Sequence, residues 1–201
     1  MAVSDYTHRY LVEVRAITER ADAEAIDRMV ALLAELRERG GRLFLLGVGG
    51  GAGNAGHAVN DFRKITGIEA YAPTDNVSEL TARINDDGWE SCYANWLRGC
   101  RLSRRDAVLV FSVGGGDEER GISSNLVACL KLAREVGASI LGIVGRDGGA
   151  TARMADACLI VPTISGDTVT PHTEEFQAVV WHLIVTHPRL RRHEMKWEAT
   201  P

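Results

Sequence analysis

Four stretches of the 201-residue chain place chemically capable side chains at telling spacings. His57 and Asp61 lie four residues apart, so a helix carrying them presents both on one face. An imidazole and a carboxylate so placed can hold a divalent metal or pass a proton. Near the carboxyl end, Glu174, Glu175, Gln177, His182 and His187 share one stretch. His182 follows Val179-Val180-Trp181, a setting that also suits a core histidine bonded to backbone. Gly47-Val48-Gly49-Gly50-Gly51-Ala52-Gly53 is the third stretch. Its glycines let backbone amides approach an anion, and a helix starting there favours negative charge. The spacing resembles a dinucleotide loop, but no acidic residue ends the following strand in the usual place, which argues against that ligand. Asn85-Asp86-Asp87-Gly88, the fourth, reads by itself as a turn.

The elements that must position these residues follow from periodicity. Tyr10, Val14 and Ile17, then Ile26, Met29, Leu33 and Leu36, repeat at helical spacing over the first forty residues, which read as a long helix or two. Gly40-Gly41 stops the pattern. Short apolar runs then predict strands at 42–46, 69–72, 106–113, 139–144 and 157–161. Helices are expected between them: over 54–66, through Glu79 to Trp89, around Trp96, from a Ser123 or Ser124 cap to Gly137, over 151–154, and over 173–186. Near-continuously apolar strands alternating with helices predict an α/β fold: one doubly wound, mostly parallel five-stranded sheet with helices on both faces. Ligands of such sheets bind beyond the carboxyl ends of the strands, where two of the glycine runs fall.

Composition narrows the function classes. Net charge is −4, with 45% hydrophobic and 25% charged residues. This argues against a nucleic-acid scaffold, which shows a basic face, and leaves room for an anionic small substrate in a locally positive pocket. No apolar run is long enough for a bilayer, and Met1 to Arg20 mixes charges without a signal-peptide core. Cys92, Cys100, Cys129 and Cys158 show no metal-ribbon spacing and read as thiols of a reducing compartment, hence a cytoplasmic protein without membrane or nucleic-acid partners. The apolar positions of the first helix need a surface to cover, which predicts a homo-oligomer.

Taken in order, these pieces resemble the phosphoheptose isomerase family of sugar isomerase (SIS) domains, over most of the chain. The residues that carry the resemblance are Gly47 to Gly53 followed by His57 and Asp61, then Thr74-Asp75-Asn76, then Asn85-Asp86-Asp87-Gly88-Trp89-Glu90, then Glu174 and His182 eight apart. The resemblance implies an aldose–ketose isomerase acting on sedoheptulose 7-phosphate through an enediol. It implies Asp61, His182 and Glu174 as catalytic residues, and Gly49, Gly50, Gly51, Asn85, Asp86, Ser112, Arg120, Ser123 and Ser124 as substrate-binding ones. It further implies zinc, or another divalent metal, held by His57, Asp61, Glu174 and His182, and a tetramer with active sites at subunit interfaces. The chain departs from the family where Asp61 replaces glutamate, Glu174 replaces glutamine and Gly51 replaces serine. Ser112-Val113-Gly114-Gly115-Gly116, followed by the apparent insertion 117–122, replaces a hydroxyl-rich phosphate loop. Arg120, Ser123 and Ser124 are candidates to compensate for the lost hydroxyls. Either Asp61 or Glu174 can serve as base.

The expected organisation is a helical segment at 1–40 packed on the domain or a neighbouring subunit, an SIS domain at 41–188 and a tail at 189–201. Glu174 and His182 cannot reach one ion from one continuous helix, because eight residues rise about 12 Å. Either that helix begins after Glu174, or the two residues come from different subunits. Another sugar phosphate on the same fold, or a non-catalytic SIS-domain binding protein, are the alternatives. The retained His57, Asp61, Glu174 and His182 set argues against the second, as does the lack of room for a DNA-binding domain.

Overall fold

A computed structural model describes residues 3–194. Strands β1 (Arg42–Gly47), β2 (Glu69–Tyr71), β3 (Ala107–Ser112), β4 (Ser139–Val144) and β5 (Ala157–Ile160) form one sheet in the order β2-β1-β3-β4-β5. Every pair is parallel, with Leu45 beside Leu109 and Leu109 beside Leu141. From β1 the chain crosses outward to β2, then returns past β1 to β3. The direction of winding therefore reverses between β1 and β3, and the crevice opens there.

Alternation along the strands divides the core into two layers. Leu43, Leu45, Leu109 and Phe111 face one layer with helices α2 (Ala23–Glu38), α3 (Gly50–Asp61) and α8 (Val169–Thr186). Phe44, Leu46, Val108 and Val110 face the other with α5 (Cys92–Gly99) and α6 (Ser124–Val136). Helices α4 (Val77–Asp87) and α7 (Gly149–Met154) complete the described set with α1 (Val3–Arg20). At the base of the sheet, Arg42 clasps Asp106 through two guanidinium nitrogens and one backbone N–H.

The expected long N-terminal helix is two helices, α1 and α2. The break falls at Asp22, whose side chain turns back to accept from Ala25 N and caps α2. Helix α2 belongs to the core, with Met29, Leu33 and Leu36 fully buried, whereas among the described side chains of α1 only Glu13 and Ile17 are buried. Asn85 to Gly88 form the last turn of α4 and its glycine cap rather than a free turn. Helix α8 starts earlier than its apolar period, at Val169, so Glu174 and His182 share one continuous helix. Helix α3 also starts early, at Gly50, and runs directly into a widened π turn over Phe62–Thr66. The first residues of the tail pack on their own chain: Leu190 is buried, and the N–H groups of Arg192 and His193 donate to Ile65 O. Trp197 lies outside the described residues.

Candidate functional site

Two groups of side chains occupy opposite ends of the α3–α8 pair. The first surrounds a cavity of about 380 Å³ beyond the carboxyl ends of β1, β3 and β4. Val48 lines it from the loop after β1 and Gly51 from the first turn of α3. Ser112 to Gly114 and Gly116 come from the loop after β3, Arg146 and Asp147 from the loop after β4, and Thr170, Glu174 and Gln177 from α8.

Local backbone requirements shape this end. The loops after β3 and β4 dock backbone to backbone: Ala150 N donates to Gly116 O, and Thr151 N and Oγ1 donate to Gly115 O. Gly115 has φ +70°, and any Cβ there would overlap the carbonyl of Gly148. The glycine run thus serves packing as well as ligand approach. Ser112 Oγ accepts from Gly115 N at 3.0 Å, so its own proton is free to donate into the cavity. Ser123, at φ +50°, precedes α6 without capping it, which leaves its hydroxyl to the cavity. Tyr93 donates to Gly47 O at 3.0 Å, and burial pushes its phenol up to about 12, so it stays a protonated donor holding the start of the glycine loop.

The insertion is a small hairpin in which Asp117 and Ile122 exchange both backbone hydrogen bonds. Its acids do not confront the cavity unpaired. Glu118 turns to Lys131 on α6, and Asp117 accepts from Arg120 N and sits 3.6 Å from the Arg120 guanidinium. Arg120, expected as the main cation, is itself largely exposed. Arg146 lines the same cavity, and among the described residues it has no carboxylate partner. It holds a left-handed backbone, φ +52°, that is strained for a side-chain-bearing residue. Sequence reasoning missed Arg146. The available signal was its place in Gly145-Arg146-Asp147-Gly148-Gly149, a tight turn at the carboxyl end of the strand beside β3.

At the other end, α3 carries His57 and Asp61, and α8 carries Trp181 and His182. His57 Nε2 and His182 Nε2 lie 3.5 and 3.4 Å from Asp61 Oδ2. The ligand atoms of these three residues all lie within 4.8 Å of one another. Asp61 is buried at the bottom, and both imidazoles are half-exposed above it. Trp181, fully buried, donates its indole N–H to Asp61 Oδ2 at 3.0 Å, and Asn60 Nδ2 donates to Oδ1 at 3.1 Å. His182 Nδ1 bonds Ala178 O at 2.8 Å. That bond places a proton on Nδ1 and turns Nε2 toward Asp61. Two imidazoles and one carboxylate with an open side match the donor set of a catalytic zinc site. Nothing in the sequence pattern pointed to the Trp181 indole as their common partner.

The expected four-residue metal set therefore contracts, within one chain, to His57, Asp61 and His182. Glu174 is two turns back on the same unbroken helix, with its carboxylate against Gly50. Of the other expected substrate contacts, Gly51, Ser112, Arg120 and Ser123 line the cavity. Gly49 and Gly50 flank it at the start of α3, and Ser124 opens α6. Asn85 and Asp86 sit on α4, bonded to each other, and do not line it. Asn125 beside Ser124 is fully buried, and its Nδ2 has no partner among the described residues.

No family model matches the chain. Pairwise comparison finds relatives. A phosphoheptose isomerase of Geotalea daltonii is 32% identical over 164 residues, covering 79% of this chain and 80% of that protein. The lincomycin biosynthesis protein LmbN of Streptomyces lincolnensis is 31% identical over 171 residues. The match takes in 82% of this chain but only 62% of LmbN. Among solved structures, a phosphoheptose isomerase from Neisseria gonorrhoeae superposes with TM-score 0.79 at 23% identity, over 92% of this chain and 98% of that one.

Proposed function

We propose that this chain, which belongs to the phosphoheptose isomerase family, is an aldose–ketose isomerase interconverting sedoheptulose 7-phosphate and D-glycero-D-manno-heptose 7-phosphate through an enediol. The observation that carries the reading is the cavity at the sheet's switch point, where Ser112, Ser123 and the Arg146 cation face a space sized for a sugar phosphate. Phosphate binds at these three groups and at Arg120, which fixes the non-reacting end. Glu174, Gln177 and Thr170 face the sugar from α8.

Isomerisation needs a base beside the carbon that loses hydrogen, a route for the hydroxyl proton, and a partner for the enediolate charge. His57, Asp61 and His182 are the residues that would hold a divalent metal, zinc by their donor types. When bound, such an ion supplies Lewis-acid stabilisation for that charge. Asp61 orients both imidazoles, Trp181 orients Asp61, and the Ala178 carbonyl fixes the His182 tautomer.

The active form is a homo-oligomer, a tetramer by family, with sites at subunit contacts. Supporting this, α1 exposes Tyr6, Leu11 and Val12, and α8 exposes Val179 and Leu183 beside His182. A second copy seated there would dry the histidine cluster. No described helix is long and apolar enough to cross a membrane, and the four free thiols suit a reducing cytoplasm. The hairpin 117–122, which puts Asp117, Arg120 and Ile122 into the cavity wall, favours a second reading in which the sugar is a different ketose or aldose phosphate. Turnover of sedoheptulose 7-phosphate against a panel of pentose, hexose and heptose phosphates decides between them. Light scattering at micromolar concentration tests the assembly, and a monomer with full activity refutes the shared site.

A further inference from the structure

We infer that Glu174, and not Asp61, is the catalytic base of this chain. The assignment rests on the isomerase reading and deepens it. The two carboxylates differ in what already occupies them. Asp61 Oδ2 accepts the Trp181 indole N–H and faces the Nε2 atoms of His57 and His182, while Oδ1 accepts from Asn60. A carboxylate engaged at both oxygens orients its neighbours and is not free to collect a proton from carbon. Asp61 also does not line the cavity.

Glu174 does line the cavity, and among the described residues its carboxylate accepts no hydrogen bond and forms no ion pair. The backbone that carries it is nonetheless fixed. The backbone carbonyl of Glu174 accepts from Asn54 Nδ2, which also donates to the fully buried Gln177 at 2.8 Å. The carboxylate rests on the first residue of α3, Gly50, where the helix end suits a negative charge. Neighbouring Glu175 is not an alternative, because it turns to Tyr10 and His172 on the far side of α8.

In the aldose-to-ketose direction, the Glu174 carboxylate takes the proton from C2. The C–H electron pair becomes the C1=C2 bond, and the carbonyl π pair moves onto O1. O1 takes up the proton that leaves the 2-hydroxyl, and O2 reforms the carbonyl as Glu174 returns its proton to C1. No oxidant or reductant enters, and the carboxylate is regenerated.

The family has glutamine where Glu174 stands, which makes one substitution decisive. Glu174→Gln restores the family residue at nearly constant shape. If Glu174 is the base, turnover falls by about 10²–10⁴, the usual worth of a positioned general base. Exchange of the carbon-bound proton with deuterium oxide, read by proton NMR, falls with it. The Michaelis constant stays near that of the wild type, since the phosphate contacts are untouched. Glu174→Asp, which keeps a carboxylate, retains more exchange than Glu174→Gln. Glu174→Gln turnover and exchange within about fivefold of wild type would overturn the assignment and return the base to Asp61, with the isomerase reading intact. A wild-type chain that isomerises none of the sugar phosphates would sink both.

Discussion

Gly50→Ala separates the placement of a catalytic group from the stability of the fold. Gly50 opens α3, and its backbone lies outside the left-handed region, so alanine fits without torsional strain. Removing a glycine from a helical position stabilises by about 0.4–1 kcal/mol, mainly by narrowing the unfolded ensemble. The new methyl would meet Glu174, lying 2.5 Å from Cδ and 2.6 Å from Oε1, where real Cβ contacts keep at least 3.0 Å. The carboxylate is the free end of a flexible side chain on the rim of a cavity, so it can retreat by about half an ångström at little cost to the fold. A misplacement approaching 1 Å costs up to about 10²-fold in rate when the displaced group acts on the reacting atoms. The variant should therefore melt about 1–4 °C higher and turn over about 10- to 100-fold slower. Gly56→Ala is the control. It lies in the same helix with no neighbour within 4 Å of its added methyl, and should raise the melting temperature without slowing turnover. Calorimetry and steady-state kinetics on the two variants suffice. Gly50→Ala with wild-type turnover would mean that the position of the Glu174 carboxylate does not matter to the reaction.

Other substitutions probe the remaining parts. Arg146→Ala should raise the Michaelis constant about 10- to 100-fold with little change in turnover, the worth of a charge-assisted hydrogen bond at the non-reacting end; unchanged binding would move the phosphate elsewhere. Trp181→Phe keeps an aromatic ring while removing the N–H donated to Asp61 together with the volume of the fused ring. It should weaken zinc binding by about 10- to 100-fold in a chelator competition titration, as loss of a partner behind a metal ligand does. An unchanged affinity would show the indole to be packing alone. Glu13, buried between α1 and α8, has its carboxyl held below the ordinary 4.5, first by the Thr168 hydroxyl and then by His172, against the opposing effect of burial. A lowered folded value stabilises above 4.5 and is lost as pH falls below it. Urea midpoints of Glu13→Gln should therefore fall off less steeply than wild type on the acid side of pH 4.5; parallel acid limbs would show that this carboxylate is not among those that set the limb.

Strands β1, β3 and β4 were legible because each is a short apolar run leading into glycine, as burial on both faces requires. Residues 139–144 were placed without error for that reason. The starts of α3 and α8 were not legible. Gly50 to Gly53 and Val169 to Thr173 carry weak helix formers, and only docking against each other and the β4 loop makes them helical. The His57 and Asp61 pair could be read from helical spacing alone. Its meeting with His182 could not, since residues 121 and 125 positions apart come together only through the sheet crossovers. The same holds for Trp181, which periodicity marks as core and which uses its one polar atom on Asp61. Arg146 escaped because a charged residue inside a glycine turn has the ordinary composition of a surface loop.

Helices α3 and α8 run side by side in the same direction, and their rungs explain how two separate polar groups can serve one reaction. Gly50 meets Glu174, Asn54 bonds the Glu174 carbonyl and Gln177, and Asp61 meets Trp181 and His182. The first rung belongs to the cavity beyond the strand ends and the last to the histidine cluster. Between Glu174 and His182 the helix rises about 12 Å. Within one chain, then, the backbone positions of the cavity's Glu174 and of the imidazoles that suit a metal are held apart by a pair of packed helices. The middle rung is what keeps them in step, because Asn54 and Gln177 satisfy one another in a buried position where an unpaired amide would be costly. His57 and His182 are half-exposed and do not line the cavity, and Val179 and Leu183 beside His182 are exposed. A substrate bound at Arg146 meets Glu174 first. In the assembly proposed above, a contact with a second copy is what would bring a histidine cluster to that substrate, and the exposed Val179 and Leu183 beside His182 favour such a contact.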